Sequence, residues 1–244
     1  AYSCDVYFYN VGLDLGVDKI QEWAHRMGMG VSTGIDLPRE TVGLVPGKAW
    51  KAEVFKDKEV WDQKWYPGDT VNLSIGQGSA APTPLQNAVM MAAIVNGGYR
   101  VTPHLNRDRD FERSERFLSD ETIALVSGGM RMCVEKKDFP SGTGWRAGVP
   151  GVAILGKTGS AQVMSLSHHE KYATEEDIPY EMRDHAWFVA GVIDREPNVA
   201  ICILVEHGHH GSTAASVLAK PLIEYMYRDQ LEPNVQVAQG SVAE

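Results

Sequence analysis

The segment GVAILGKTGS, residues 151–160, places a lysine where it fits two different kinds of chemistry. Gly151, Gly156, Lys157 and Thr158 match the pattern G-x-x-x-x-G-K-[ST], in which backbone N–H groups and the lysine bind nucleotide phosphates. The tripeptide Lys157-Thr158-Gly159 also matches the K-T-G of a class of serine acyl-transfer enzymes. The elements around the lysine must decide whether it binds a phosphate or a carboxylate.

A phosphate-binding loop needs a strand that ends before its first glycine and a helix that begins at the Lys-Thr pair. Here GWRAGVP precedes Gly151, VAIL lies between the two glycines, and TGSAQVMS follows Lys157. These stretches predict one strand that runs through the whole segment. On such a strand Lys157 and Gly159 face one side, and Thr158 and Ser160 face the other.

A strand in this position favours a ligand that carries a carboxylate. Gly159 removes side-chain bulk next to Lys157, which lets a ligand backbone lie alongside the strand. The backbone groups of Ser160 continue that edge and are expected to be free to pair with an extended peptide. A lysine ammonium with hydroxyl groups nearby binds a terminal carboxylate well.

Ser3 and Asp5, in the stretch YSCDVYFYN, form a second candidate group. Both residue types are common at helix N-termini, so one interpretation is a simple helix cap. The other interpretation is the Ser-x-Asn/Asp element that accompanies K-T-G in serine acyl-transfer enzymes. Taken alone, the stretch favours the helix cap.

The elements that must position these residues begin with helices. Thr83 and Pro84 give one helix a strong start, and Ser119 caps another. Residues 31–72 are rich in Gly, Pro, Lys and Trp and predict irregular structure, with the charged run 51–58 as a solvated loop. The apolar spacing predicts helices near residues 3–16, 18–27, 84–95, 119–133 and 212–227, the last with Pro221 inside it.

Strands follow the helices. GVAILGKTGSAQV, AWFVAGVID and VAICILVEH are β-branched and aromatic runs of strand length. The turn REPN joins the last two into a hairpin. Helices followed by antiparallel strands and a closing helix predict an α+β fold. Residues 1–228 are expected to belong to one domain, and the polar residues 229–244 to form a disordered tail.

Composition narrows the function classes. The chain has 244 residues and a formal net charge of −9, which argues against a nucleic-acid groove. It has no apolar run of the roughly 20 residues that a membrane span requires. The first residue, Ala1, is not methionine, so we expect a piece of a longer protein. Cys4, Cys133 and Cys202 are expected to be unpaired, and Cys4 is expected to be packed.

No cofactor or metal is predicted. His207, His209 and His210 could bind a metal, but their Gly-rich turn favours solvated histidines. The stretch SHHEKYATEEDIPYEMRDH, which precedes the hairpin, is expected to be a mobile loop near the cleft.

Taken together and in order, the motifs SCDVYFYNVG, TGIDLPRE, IGQGSAAPTPLQ and LGKTGSAQV carry a specific resemblance. From Ser3 to about residue 228 the chain resembles the transpeptidase domain of class B penicillin-binding proteins, above all those of the cell-elongation machinery. The resemblance implies a β-lactamase/transpeptidase-like α+β fold of which this chain is an incomplete copy. Ser160 departs from the threonine often found there, but the hydroxyl is retained.

The resemblance implies a role for each candidate residue. Ser3 would relay a proton, Asp5 would bind substrate or orient the lysines, and Lys157 would supply the electrostatic field and support the relay. The Ser160 N–H would form half of an oxyanion hole. Substrate binding would fall to Thr158, Gly159 and Ser160.

One motif of the family is absent from the sequence. No serine has a lysine three residues later, so the Ser-x-x-Lys nucleophile would lie upstream of Ser3. This chain alone is therefore expected to be inactive. It is also expected to expose apolar surface that an upstream chain covers, so that it has either a companion polypeptide or an unusually open fold.

The same resemblance implies a setting and partners. The substrates would be peptidoglycan stem peptides, with β-lactams as mimics, and the upstream segment of the protein would complete the site. Further partners would be membrane proteins of the elongation complex, with the parent protein anchored in the inner membrane and facing the periplasm. Two alternatives stay open: a D,D-carboxypeptidase or β-lactam hydrolase, and a non-catalytic binding module.

Overall fold

A three-stranded antiparallel sheet, with its strands adjacent in chain order, positions the K-T-G segment. The computed structural model describes residues 2–137, 140–164, 171, 172, 174 and 177–231. Within these residues short 3-10 turns occupy Trp145–Ala147 and Tyr180–Met182, and a π turn, Gly211–Ala215, precedes the last helix. The strands and longer helices are α1 Asp5–Leu15, α2 Val17–Arg26, α3 Lys48–Val54, α4 Pro67–Ser74, α5 Pro84–Val95, α6 Asp120–Val134, β1 Ile154–Ala161, β2 His185–Val192, β3 Val199–Val205 and α7 Ser216–Met226.

Strand β1 runs through the K-T-G segment, as predicted. It pairs with β2 so that Lys157 lies opposite Val189 and Gly159 lies opposite Trp187. The predicted hairpin is confirmed, since β2 and β3 pair antiparallel around the connection that contains REPN. Among the described strands β1 therefore has only β2 as a neighbour, and its other edge carries no strand there.

The two faces of the sheet pack against different helices. On one face Phe188 joins Ala219 and Ile223 of α7 in the largest buried apolar cluster. On the other face Leu155 of β1 clusters with Met91 and Ile94 of α5. Because neighbouring strand residues alternate between faces, Lys157 shares the α5 side with Leu155, and Thr158 shares the α7 side with Phe188. Helical layers on both faces of an antiparallel sheet confirm the predicted α+β class.

The start of α5 confirms the predicted cap. The Thr83 hydroxyl accepts from the Gln86 N–H at 3.2 Å, and the Gln86 side chain accepts from the Thr83 N–H at 3.0 Å. This reciprocal pair satisfies two backbone donors that the first turn leaves open. The buried Gln86 amide also donates to Val31 O at 2.6 Å and so ties the helix to the preceding loop.

The prediction that residues 31–72 are irregular is wrong in two places, since α3 and α4 lie there. Both are short, with seven and eight residues, so neither gives a long periodic signal. Pro67 occupies the first turn of α4, and Asp69 accepts from the Tyr66 N–H at 2.8 Å. The charged run is also not simply solvated, because Lys51 is only 14% exposed and forms an ion pair with Asp69 at 2.5 Å.

The expected exposed apolar surface is found on α1. Helix α1 leaves five apolar side chains between 45% and 66% exposed: Val6, Tyr7, Phe8, Leu13 and Leu15. Within the described residues, β1 and β3 are both edge strands. At 100° per residue these five positions are spread around the helix axis, so α1 has apolar surface open for contact on several sides.

The three cysteines are unpaired, as predicted. Cys133 is fully buried, and burial raises the pKa of the Cys202 thiol to about 12. Cys4, expected to be packed, is exposed instead because it lies at the start of α1, outside the core.

Beyond α7, which ends at Met226, the chain stays in contact with the core as far as Leu231. Gln230 N–H donates to Tyr227 O at 2.8 Å, and Leu231 packs against the α7 cluster. Residues 229–231 lie within the described range and residues 232–244 lie outside it, so the disordered tail over 229–244 stays a prediction. In the described part of the chain no helix is both long and apolar enough to cross a bilayer.

The α5 cap generates a stability prediction. Thr83→Ala removes the hydroxyl that caps the helix, so the free energy of unfolding should fall by about 1 kcal/mol. Thr83→Ser keeps the capping oxygen and should retain most of that stability. Urea unfolding of both variants against the unsubstituted protein measures this. Equal losses in the two variants would show that the threonine methyl, rather than the cap, stabilises the helix.

Candidate active site

The side chain of Lys157 joins the strand to the start of the first helix. Its Nζ donates to Ser3 Oγ over 2.7 Å and to the backbone oxygen of Thr158 over 2.6 Å. Ser3 and Lys157 are 154 positions apart in sequence, so only the fold brings them together. The two elements singled out by sequence therefore meet at one point.

Ser3 is held in an unusual conformation for this contact. Its φ is +48°, in the left-handed region that L-residues other than Gly, Asn and Asp seldom adopt. The N-cap of α1 is Cys4, and no side chain makes a capping hydrogen bond there. The helix-cap interpretation of Ser3 is therefore wrong, since its hydroxyl accepts from Lys157 instead. Backbone strain of this kind is concentrated at functional sites.

All six residues that the sequence marks as site residues line one cavity of about 330 Å³. Ser3 and Asp5 come from the α1 start, and His210, Gly211 and Ser212 come from the turn before α7. The six predicted residues are Ser3, Asp5, Lys157, Thr158, Gly159 and Ser160.

A chain of hydroxyl and thiol groups supports the strand from behind. Thr158 is only 8% exposed, and its Oγ1 lies 2.7 Å from Thr143 Oγ1. The Thr143 hydroxyl in turn lies 3.3 Å from Cys133 Sγ. Sequence reasoning missed Thr143, since the loop that carries it has neither periodicity nor recognised spacing to β1. Its contact fixes the rotation of the Thr158 side chain beside the cavity.

Gln77 was also missed, and it changes the expected edge of β1. Its Nε2 donates to Ser160 O at 2.7 Å, and its Oε1 accepts from the Gln162 N–H at 3.3 Å. The edge was expected to be free for an extended peptide. That expectation is wrong at Ser160 O, where a side-chain amide already binds.

Two glycines shape the space around the strand in different ways. A Cβ on Gly211 would lie 2.3 Å from Trp187 O and 2.5 Å from Gly159 O, so the turn before α7 needs glycine to approach the sheet. A Cβ on Gly159 would meet only the Trp187 Cβ, at 3.3 Å. Packing is thus less tight at Gly159 than at Gly211, and the missing side chain leaves room beside the strand for a ligand.

The electrostatics of the site centre on Lys157. Burial lowers the pKa of its ammonium below the ordinary value because the charged form loses hydration. Electrostatic interaction with Cys133 and with Asp5 raises the pKa of Lys157 and so acts in the opposite direction. Lys157 thus stays closer to the neutral form than a surface lysine does, with Asp5 as the fixed charge that opposes this.

Lys157 also borders a second cavity, of about 420 Å³, on the α5 side of the sheet. Met90, Trp187 and Val189 give this cavity apolar walls, and it shares residues 157–160 with the first cavity. The lysine and the K-T-G backbone therefore form a wall between two spaces.

The other sequence candidates are not part of a metal or phosphate site in the described residues. The segment 151–157 leads into a strand and not into a helix, so the phosphate-loop pattern lacks its required structure. Across the described ranges no group of three or more His, Cys, Asp or Glu side chains converges. His207 and His209 have left-handed φ angles of 56° and 60°. Residues 167–170, 173, 175 and 176 of the predicted mobile loop lie outside the described range.

The arrangement of K-T-G strand, serine and acidic residue defines a class, and comparison with known families gives the same class. The model of the penicillin-binding protein transpeptidase domain matches residues 1–224. The chain belongs to this family.

Named relatives make the placement more specific. The chain is 36% identical over 230 residues to peptidoglycan D,D-transpeptidase MrdA of Acinetobacter baumannii, covering 91% of this chain and 33% of the relative. It is 32% identical over 243 residues to MrdA of Haemophilus influenzae, covering 96% and 36%. The chain thus spans about a third of the length of these relatives.

Solved structures give the same picture. PBP2 of Helicobacter pylori, in a complex with MreC, is 31% identical and superimposes with a TM-score of 0.75, covering 93% of this chain and 38% of that one. Pseudomonas aeruginosa PBP2, in complex with WCK 5153, is 29% identical with a TM-score of 0.72, covering 91% and 46%. The fold expected from the sequence is therefore confirmed.

The opposing effects on Lys157 generate a testable prediction. Asp5→Asn removes a carboxylate that raises the Lys157 pKa, so the pKa should fall further. NMR titration of the Lys157 side chain in the two proteins measures the change. Asp14→Asn, an exposed position on the same helix, is the matched control and should leave the titration unaltered. A Lys157 pKa that is the same in Asp5→Asn would mean that Asp5 has no electrostatic contact with the lysine.

Proposed function

We propose that this chain is the C-terminal part of a serine-type peptidoglycan D,D-transpeptidase domain. The observation that carries the proposal is the hydrogen bond between Lys157 Nζ and Ser3 Oγ at the mouth of a cavity walled by the K-T-G strand. A partly desolvated lysine hydrogen-bonded to a hydroxyl suits proton transfer during covalent acyl chemistry. The family and its named relatives support the same activity.

The reaction has two steps. A serine Oγ attacks the carbonyl between the last two D-alanines of a stem peptide and forms an ester, and D-alanine leaves as its nitrogen takes a proton. An amine of a neighbouring stem then attacks the ester, forms the cross-linking amide and releases the serine. The sequence lacks a Ser-x-x-Lys, so this serine comes from a segment outside it.

The residues of this chain have separate roles in both steps. The Lys157–Ser3 pair carries the proton to the leaving nitrogen and later takes one from the incoming amine. Asp5 keeps a negative charge near Lys157, which limits how far desolvation lowers the lysine pKa. The hydroxyls of Thr158 and Ser160 bind the terminal carboxylate, or the carboxylate of a β-lactam.

Strand β1 also supplies one half of the oxyanion hole. We assign this role to the Ser160 N–H, with the second donor from the nucleophilic serine itself. Because the sheet fixes the backbone of β1, this donor needs no reorganisation when the carbonyl oxygen becomes negative. One donor of this kind contributes roughly 3–4 kcal/mol to transition-state stabilisation.

The nucleophile segment fits the cavity on the α5 side of the sheet. It would have to reach Lys157 while it covers apolar surface, and that cavity has apolar walls and includes the lysine. A segment seated there would bring its serine to the shared wall, next to the ligand cavity.

The same proposal extends to partners and location. We assign peptidoglycan stem peptides and β-lactams as ligands, with catalysis on the periplasmic side of an inner membrane that anchors the intact protein. One similar structure is a complex of PBP2 with MreC, and another is a peptidoglycan synthase complex. Membrane-associated proteins of the elongation machinery are the corresponding partners proposed for this protein.

Covalent labelling tests the proposal. The 244-residue chain alone should form no adduct with a fluorescent penicillin, because it lacks the nucleophile, whereas the intact protein should be labelled and keep the label for longer than an assay of minutes. Gel fluorescence and intact mass measure both. Labelling of the isolated chain, or no labelling of the intact protein, would contradict the proposal. Rapid loss of the label would indicate the carboxypeptidase or β-lactam hydrolase alternative.

The buried hydroxyl pair gives a second prediction for the intact protein. Thr143→Val leaves the Thr158 hydroxyl without its partner, and acylation by penicillin should slow roughly two- to tenfold, the size of one hydrogen bond. Thr143→Ser keeps the contact and should restore the rate. Stopped-flow acylation measures both variants. Slowing in the serine variant as well would show that Thr143 acts through its methyl packing.

A further inference from the structure

We infer that Gln77 is a specificity-determining residue, which competes with the ligand for the open edge of β1. This inference rests on the proposed function. The carboxamide of Gln77 forms two hydrogen bonds with the backbone of that edge, to Ser160 O at 2.7 Å and from the Gln162 N–H at 3.3 Å.

These two backbone groups belong to the edge that a bound peptide would use. In a strand the N–H and C=O of one residue point to the same edge, and every second residue repeats that direction. Ser160 O therefore lies on the same edge as the Ser160 N–H, the proposed oxyanion donor. A peptide that binds along this edge as an added strand must therefore also donate a hydrogen bond to the Ser160 carbonyl.

The carboxamide lies where the next ligand residue would lie. It bridges from residue 160 to residue 162, which is the spacing that one added strand residue covers. A carbonyl oxygen can accept two hydrogen bonds, but only one group can occupy the position in the plane of the sheet. A ligand amide that binds Ser160 O must therefore displace Gln77.

The loop that carries Gln77 is built to hold it there. Gly76 and Gly78 on either side have φ angles of +75° and +73°, and the Gln77 N–H donates to Asn72 O at the end of α4 at 2.9 Å. The side chain also lines the cavity that contains Ser3 and Lys157. Ligands with an amide N–H next to the reacting carbonyl must therefore displace the Gln77 carboxamide from Ser160 O. Ligands without that N–H leave the carboxamide in place.

The test uses the intact protein and compares two ligands, of which only one carries an amide N–H next to the reacting carbonyl. One is a penam with a 6β-acylamino chain, and the other is unsubstituted penicillanate. Acylation rate constants are measured by stopped flow for both, and their ratio is the readout. Any general effect on folding, charge or carboxylate binding acts on both ligands and cancels in that ratio.

Two substitutions remove the donor from the side chain. Gln77→Glu can still accept from the Gln162 N–H, and Gln77→Met retains the size without a donor or acceptor. In both, the ratio of acylamino penam to penicillanate should rise roughly two- to tenfold, as expected when one competing hydrogen bond is removed. Gln63→Ala is the matched control, since this glutamine donates to the Lys56 and Lys58 carbonyls and does not line the cavity.

Each outcome has a distinct meaning. An unchanged or lower ratio in both Gln77 variants, with normal acylation of the unsubstituted protein, would overturn this inference alone and make Gln77 a structural support for β1. If neither penam acylates the unsubstituted protein, the proposed function falls, and this inference falls with it. A raised ratio in Gln63→Ala would also overturn the inference.

Discussion

The site depends on how one ammonium group is satisfied at the edge of a sheet. Lys157 loses hydration there and keeps two hydrogen-bond acceptors, Ser3 Oγ and Thr158 O. One acceptor is local to β1, and the other lies at the far end of the sequence. Since an amine with too few acceptors is costly to bury, the position of α1 and the protonation of the lysine are linked. A change in either alters the other.

The alternation of the strand lets two adjacent residues serve different surroundings. Lys157 faces the α5 side with Val189, and Thr158 faces the α7 side, where Thr143 holds its hydroxyl. Within the part of the sheet that the structure describes, β1 is an edge strand, and its open margin lets both side chains reach the cavity. A central strand with the same sequence would bury both groups. The edge position therefore matters to function as much as the K-T-G residues themselves.

Sequence reasoning succeeded where a residue's neighbours along the chain determine its structure. The Thr83 cap, the hairpin and the β1 strand follow from local patterns, and so does the rejection of a phosphate loop. It failed for α3 and α4, which are too short for periodicity. It also missed Thr143 and Gln77, because their partners lie 15 and 83 positions away and no local pattern encodes such contacts. The meeting of Ser3 with Lys157 was expected only because two separate motifs belong to one known arrangement.

The second cavity gives Lys157 a further constraint. Solvent now reaches the lysine from the α5 side, through the space bordered by Met90 and Val189. An upstream segment seated in that space, as proposed, would remove this water and lower the lysine pKa further. Electrostatic interaction with Cys133 and with Asp5, which raises the lysine pKa, would then oppose complete neutralisation. The segment that brings the nucleophile would thus also bring the lysine closer to the neutral amine, which is the form that accepts a proton. Assembly of the site and its activation would then be one event.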